Sequence, residues 1–435
     1  MNCVGNELCL AFIICHRNTL FFCNPCFYLI TVSFIFRTNT KVTNHYIAVA
    51  KVKQVTSKAE TTFRNKMSFW WKKNPKTSAN YVKVLNEQLQ KLQSSSISTD
   101  NKKKAQEECS RYLDAIKHIL LDETTAPLSL NLLYDHFFKE DCLFNLMSVF
   151  SMLDFESRKN VGVIFSSGLG RSTDNKSVYV DYLISNRQII DLILKVLQEA
   201  VANRQNGIDI YLCVGGMVDE CLKFEQLCRI ILQNPIVWLL FDNCLSSAFE
   251  ISTQSFQLLH ALFTSFPRLI SVEFFSSQTK SNKFMGKLNK LLAHGSYVTK
   301  RQALKLLTAL MLDSDYRRFM LSYIEEPENL KLSMILLSDK SKNLQLEAFQ
   351  TFKVFMANPR KSKGVTDILI KNREQLLKFF AKFGEDSKDE IFQGEKNYLV
   401  GILNDLPRLI TNPSTGNSNH SSSPPHITSA SPTSL

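Results

Sequence analysis

Three side chains in this sequence could do recognition chemistry together. In the run from Ser296 to Leu307, Tyr297, Arg301 and Lys305 stand at i, i+4 and i+8, a spacing that puts all three on one helix face. An aromatic followed by two cations, one turn apart, offers stacking area and donors for acidic groups. Val298, Ala303, Leu304, Leu306 and Leu307 would supply apolar contacts elsewhere on that helix; the blander alternative is a solvated face with a tyrosine packed at one end. A second group is Lys331, Met334 and Lys371. The first two are i, i+3 on a helix after Pro327 and the third sits on a later helix. Placed side by side, they would set an apolar floor beneath two cations, suited to an acidic-hydrophobic peptide end.

Catalytic patterns do not emerge from the same search. There is no phosphate loop, His-Glu-x-x-His, Gly-x-Ser-x-Gly, His-Arg-Asp or Asp-Phe-Gly. Gly168-Leu-Gly170 follows a helical pattern and reads as a helix end. His118, His136, His260 and His294 are scattered, without a second histidine at i+4. Cys213, Cys221 and Cys228 lie at spacings that suit small buried residues better than zinc. Cys23-Asn-Pro-Cys26 has redox or metal spacing but no second pair. Asp313 and Asp315 begin like a calcium loop, and the loop's glycine and terminal glutamate are missing. The expectation is a non-enzyme with no cofactor and no metal.

The elements that must hold these residues are helices. Gly (14) and Pro (12) together make about 6% of 435 residues, against about 12% in average usage; so few turn formers exclude sandwiches and propellers. Apolar stripes recur at helical spacing from Pro75 to Leu409: Ile189, Ile190, Leu192, Ile193, Val196 and Leu197; Phe256, Leu258, Leu259, Leu262 and Phe263; Val298, Leu304, Leu307, Leu310 and Met311; Leu344, Leu346, Phe349, Phe352, Val354 and Phe355. Asp154 and Ser157 can cap one helix and Ser341 another. Pro235, Pro267, Pro327 and Pro359 fall between stripes. Val178-Tyr179-Val180 is the best strand-like triplet and is too short to matter. The fold expected is all-α, a curved armadillo- or HEAT-like solenoid of about seven units at about 40–47 residues each, meeting partners along an extended concave face.

The net charge of +12 is unevenly spread. Residues 1–66 carry eight Lys or Arg against two acids, half the surplus, and hold five of the eleven cysteines. Their apolar run, Leu20 to Phe36, is broken by Asn24-Pro25 and is shorter than the roughly 20 residues of a spanning helix. The division expected is an N-terminal extension at 1–66, one helical array at 67–410 opening at Met67, and a Ser/Pro-rich disordered tail at 411–435 that contains no Lys, Arg, Asp or Glu. The six body cysteines suit a reducing, cytoplasmic setting. No nucleic acid partner is expected, and no membrane unless the extension is real; a membrane-anchored adaptor and a nucleic-acid or transport adaptor stay open as alternatives.

Several stretches are specific. Leu153-Asp-Phe-Glu156, Tyr297 to Leu307, Pro327-Glu-Asn-Leu-Lys-Leu332, Asp339 to Phe349 and Phe352 to Pro359 resemble the calcium-binding protein thirty-nine family, also called Mo-twenty-five-like, and the run after Met67 resembles its beginning in fungi. The resemblance implies a curved, non-catalytic helical-repeat scaffold that binds sterile-twenty-class kinases or pseudokinases and holds them active, in fungi within morphogenesis and cell separation. It implies that Tyr297, Arg301 and Lys305 face the kinase's regulatory helix. It assigns Lys331, Met334 and Lys371 to a pocket for a Trp-Glu-Phe peptide. The sequence departs from the family at Ser314 and Arg317, where that pocket uses Arg and Phe, and at Gln375.

Overall fold

The computed structural model describes residues 77–407, apart from 123, 172–176 and 204. The extension at 1–66 and the tail at 411–435 lie outside the described residues. Every regular element described is helical: nineteen α-helices and two short 3-10 turns, in two compact units that meet at Lys361 and Ser362.

The first unit opens with a helix pair, α1 (Ser78–Gln93) and α2 (Thr99–Leu121). Five triplets follow. They are α3 (Pro127–Lys139), α4 (Cys142–Ser148), α5 (Phe155–Leu169); α6 (Val178–Ser185), α7 (Arg187–Ala200), α8 (Gly207–Cys221); α9 (Glu225–Gln233), α10 (Ile236–Asn243), α11 (Phe249–Thr264); α12 (Pro267–Glu273), α13 (Gln278–His294), α14 (Tyr297–Leu312); and α15 (Arg317–Glu325), α16 (Pro327–Leu337), α17 (Lys342–Ala357). Each triplet spans roughly 40 to 46 residues, the length of an armadillo-type unit. The second unit holds α18 (Lys363–Lys382) and α19 (Glu390–Asp405).

Packing inside the first unit follows a period of three helices. The third members form one continuous row, α2 on α5, then α8, α11, α14 and α17. The middle members form another, α1 on α4, then α7, α10, α13 and α16. The short first members fill a third row, with α6 against α9 and α12 against the 3-10 turn at 314–316. The helices of the two long rows thus touch the equivalent helix one triplet away, which is the nearest-neighbour construction of a repeat array.

Local sequence sets the helix ends. Asp154 caps α5, accepting from the Ser157 N–H at 2.9 Å and from the Ser157 hydroxyl at 2.5 Å. Ser341 caps α17, and Gly170 ends α5. Pro267 and Pro327 occupy first turns, where the missing N–H costs nothing. The strand-like Val178-Tyr179-Val180 opens α6, with Ser177 as its cap and Tyr179 and Val180 buried. Two expected core residues turn outward: Val298 is 42% exposed and Leu346 is 43% exposed. Val298 precedes the buried turns of its helix, whereas Leu346 lies between buried Leu344 and Ala348 and points away from them.

Two interior features hold α13 in place. Phe241, Phe263, Phe274, Phe275, Phe284 and Phe319 form an aromatic cluster from α10, α11, the end of α12, α13 and α15, with Phe263–Phe284 centroids at 4.7 Å and Phe275–Phe319 at 4.6 Å. Beside it runs a closed polar circuit. The Tyr323 hydroxyl donates to Asn289 Oδ1 at 3.0 Å, Asn289 Nδ2 to Asn329 Oδ1 at 2.7 Å, and Asn329 Nδ2 to the Tyr323 carbonyl at 2.8 Å. Buried amides satisfied in this way fix register, because any slip would strand them without partners.

Candidate functional site

The long row presents α14 between α11 and α17. Ser296 caps α14, accepting from the Thr299 N–H at 3.2 Å, and its hydroxyl lies 2.9 Å from Thr299 Oγ1. Ala303, Leu304, Leu306, Leu307, Leu310 and Met311 are buried, so the helix is rotationally fixed. Its other face carries Tyr297, Arg301 and Lys305 outward.

Tyr297 and Arg301 are positioned by α17, and Lys305 is not. Tyr297 is 46% exposed. Hydrogen bonds with Asn343 first, then with Ser341, hold its phenol below the ordinary tyrosine range, with the Arg301 charge adding to them. Arg301 lies with Nε 3.6 Å from Glu347 Oε1 on α17, and that buried Nε has no hydrogen-bond partner. The pair is therefore an ion contact rather than a hydrogen bond. Lys305 is exposed and faces the other way along the row, toward His260 on α11. Burial first, and the Lys305 charge second, depress the His260 imidazole. Thr264 Oγ1 lies 3.3 Å from His260 Nδ1.

A hollow of about 670 Å³ opens between α11 and α14 beside this stripe, lined among others by Phe249, Phe256, His260, His294, Val298 and Gln302. Phe249 is 65% exposed. Like Tyr297, it is the first residue of a long-row helix. Aromatic and aliphatic surface next to two cations suits a partner surface that is apolar with acidic edges.

The second group has members in both units. Lys331 and Met334 come together on α16, as their i, i+3 spacing requires. The Lys331 ammonium is already engaged by Glu328, at 2.6 Å on the same helix, and Met334 is half-buried. Lys371 is an exposed residue of α18 in the second unit, and Gln375 lies one turn on and is also exposed. Ser314 and Arg317 are exposed at the 3-10 turn and the start of α15.

Glu347, Asn343 and Phe249 were not singled out from sequence; Ser341 was read only as a helix cap and His260 only as a scattered histidine. Glu347 lies one triplet length beyond Arg301, and that period is the signal that could have found it. Among the described residues, no group of three or more His, Cys, Asp or Glu is placed to hold a metal ion. No helix among them is long and apolar enough to cross a membrane.

A sequence model described as Mo25-like matches residues 69–407, most of the chain and all of the described helices. The chain belongs to the Mo25-like family. Protein HYM1 of Saccharomyces cerevisiae is 48% identical over 373 residues, covering 85% of this chain and 93% of that protein. The calcium-binding protein 39-like protein of Homo sapiens is 36% identical over 340 residues, covering 77% and 97%. A designed armadillo repeat protein solved with a (KR)4 peptide shares 12% identity at a TM-score of 0.38, covering 62% of this chain and 99% of its own. Membership in the Mo25-like family supports a scaffold role for the chain.

Proposed function

We propose that this Mo25-like chain is a non-catalytic, cytoplasmic scaffold. It binds a protein kinase or pseudokinase of the sterile-twenty class and stabilises its active conformation, in fungal morphogenesis and cell separation. The observation that carries the reading is the α14 stripe: Tyr297, Arg301 and Lys305 outward on a rigid helix, flanked by exposed Phe249 and Val298. Such a surface accepts a helix bearing apolar residues and carboxylates.

The scaffold acts by binding the kinase's closed state more tightly than its open state. It can shift that equilibrium only by its differential affinity. Moving a population from about 1:99 to about 99:1 takes roughly 5.5 kcal/mol of preference, within reach of one interface with an arginine anchor. Lys331, Met334 and Lys371 are each proposed to contact the partner's peptide end. With Ser314, Arg317 and Gln375 in place of the family's residues, that peptide differs from Trp-Glu-Phe.

The test is affinity purification from a fungal lysate with the full chain and with Arg301→Ala as baits. A sterile-twenty-class kinase should be enriched on the first and depleted about tenfold on the second. Equal enrichment on both, or no such kinase on either, would count against the proposal.

A further inference from the structure

Exposed cations on the helices of this protein are commonly answered by a carboxylate on the same helix: Arg111 by Glu108 at 2.6 Å, Lys159 by Glu156 at 3.3 Å, Arg229 by Glu225 at 3.1 Å and Lys331 by Glu328 at 2.6 Å. Among the described helices that contain Lys or Arg, α13 and α14 alone contain no Asp or Glu. Indeed the sequence has no acid between Glu273 and Asp313. These two helices are neighbours in the chain but belong to different rows, α14 to the long row and α13 to the middle one.

Lys280, Lys283, Lys287 and Lys290 stand at i, i+3, i+7 and i+10 on α13, one face about 15 Å long. The opposite face, Ser281, Phe284, Met285, Leu288, Leu291 and Leu292, is buried, so the lysine face is fixed in direction. Two of the cations are held by aromatic surface: Lys283 Nζ lies 4.2 Å from the Trp238 ring centroid and Lys280 Nζ 5.6 Å from that of Phe274. Lys287 is answered by Asp242 of α10 at 2.6 and 2.8 Å. Lys290 is exposed. Glu273, the acid preceding the helix, is taken by Arg229 at 2.7 Å.

We propose that this lysine face of α13 is a second docking surface, occupied by an acidic segment of a protein partner and separate from the α14 stripe. Charge complementarity selects the occupant. Three unanswered cations fall short of the roughly 6–10 phosphate contacts that sustain DNA binding. No large apolar side chain is exposed on α13, and an interfacial helix needs one to enter a membrane. A facing helix with carboxylates at matching i, i+3, i+7, i+10 spacing meets all four lysines, with the aromatic contacts lowering the ordering cost of Lys283 and Lys280. A scaffold with such a surface engages two proteins on two rows. The inference does not depend on the kinase reading.

The probe is a fluorescein-labelled, alanine-based helical peptide with glutamates at i, i+3, i+7 and i+10, followed by anisotropy with the full chain at about 50 mM and about 300 mM salt. The wild type should bind at low salt and weaken as salt rises. Lys283→Glu with Lys290→Glu should lower affinity about tenfold or more, while Arg301→Ala with Lys305→Ala should change it less than about twofold. If the reversal variant melts earlier than the wild type, Lys290→Ala alone must still weaken binding about twofold. Absence of wild-type binding at low salt overturns the proposal, as does unchanged affinity in the α13 variant or equal loss in the α14 variant. So does tighter binding at this face by an oligo-dT strand or by phosphatidylserine vesicles.

Discussion

At the residue scale, the stripe is two tethered side chains and one free one. Tyr297 is tied to the start of α17, Arg301 to Glu347, and Lys305 is free in solvent but close enough to His260 to disfavour its protonation. Lys305→Ala should therefore raise the His260 pKa toward its ordinary range without restoring it, since burial is the larger cause and stays; an NMR titration of the imidazole reads this, and an unmoved pKa would place Lys305 elsewhere. The sign for stability follows. Folding lowers the pKa of His260, so the neutral ring's contribution is present above about pH 6.5 and is lost as pH falls below the unfolded and then the folded value. Ser296→Ala removes the α14 cap and should cost about 1 kcal/mol in denaturant unfolding, loosening the turn that carries Tyr297. The spacing of the stripe was legible in the sequence, because three residues four apart on a helix need no tertiary knowledge. Their neighbours were not, since Glu347 and His260 reach α14 only through the packing of whole triplets.

At the element scale, helices were legible wherever an apolar stripe met a cap or a proline, as at Asp154, Ser341 and Pro327. Val298 and Leu346 show where a stripe misleads: apolar type and helical phase were right, but neither residue turns into the packed interface of its row. The three-row order is invisible to periodicity, because the partner of each helix lies three helices away. What enforces the order is shape in the core. Phe284 reaches into rings from four other segments, so Phe284→Ala should cost about 3–5 kcal/mol and unfold the middle of the array at lower denaturant. A loss under about 1 kcal/mol would show that the cluster collapses around the gap. Arg301→Ala, on the solvent side, should leave the midpoint within about 0.5 kcal/mol.

At the scale of the whole molecule, the charge surplus resolves into two places: a basic extension outside the described residues, and α13 and α14, consecutive helices with cations and no carboxylates. The family model matches residues 69–407, and we propose that the helical array opens at Met67. A chain starting at Met67 should therefore fold and complement loss of the full-length protein; failure to complement would assign a role to the extension. The central claim is that the α14 stripe shifts a kinase toward its active state. It is tested most directly by titrating wild-type scaffold and Arg301→Ala into a purified sterile-twenty-class kinase and measuring phosphotransfer. The wild type should raise the rate to a plateau, and the variant, with an unchanged melting midpoint, should require on the order of tenfold more protein to do so. Superimposable titration curves for the two proteins would contradict the account.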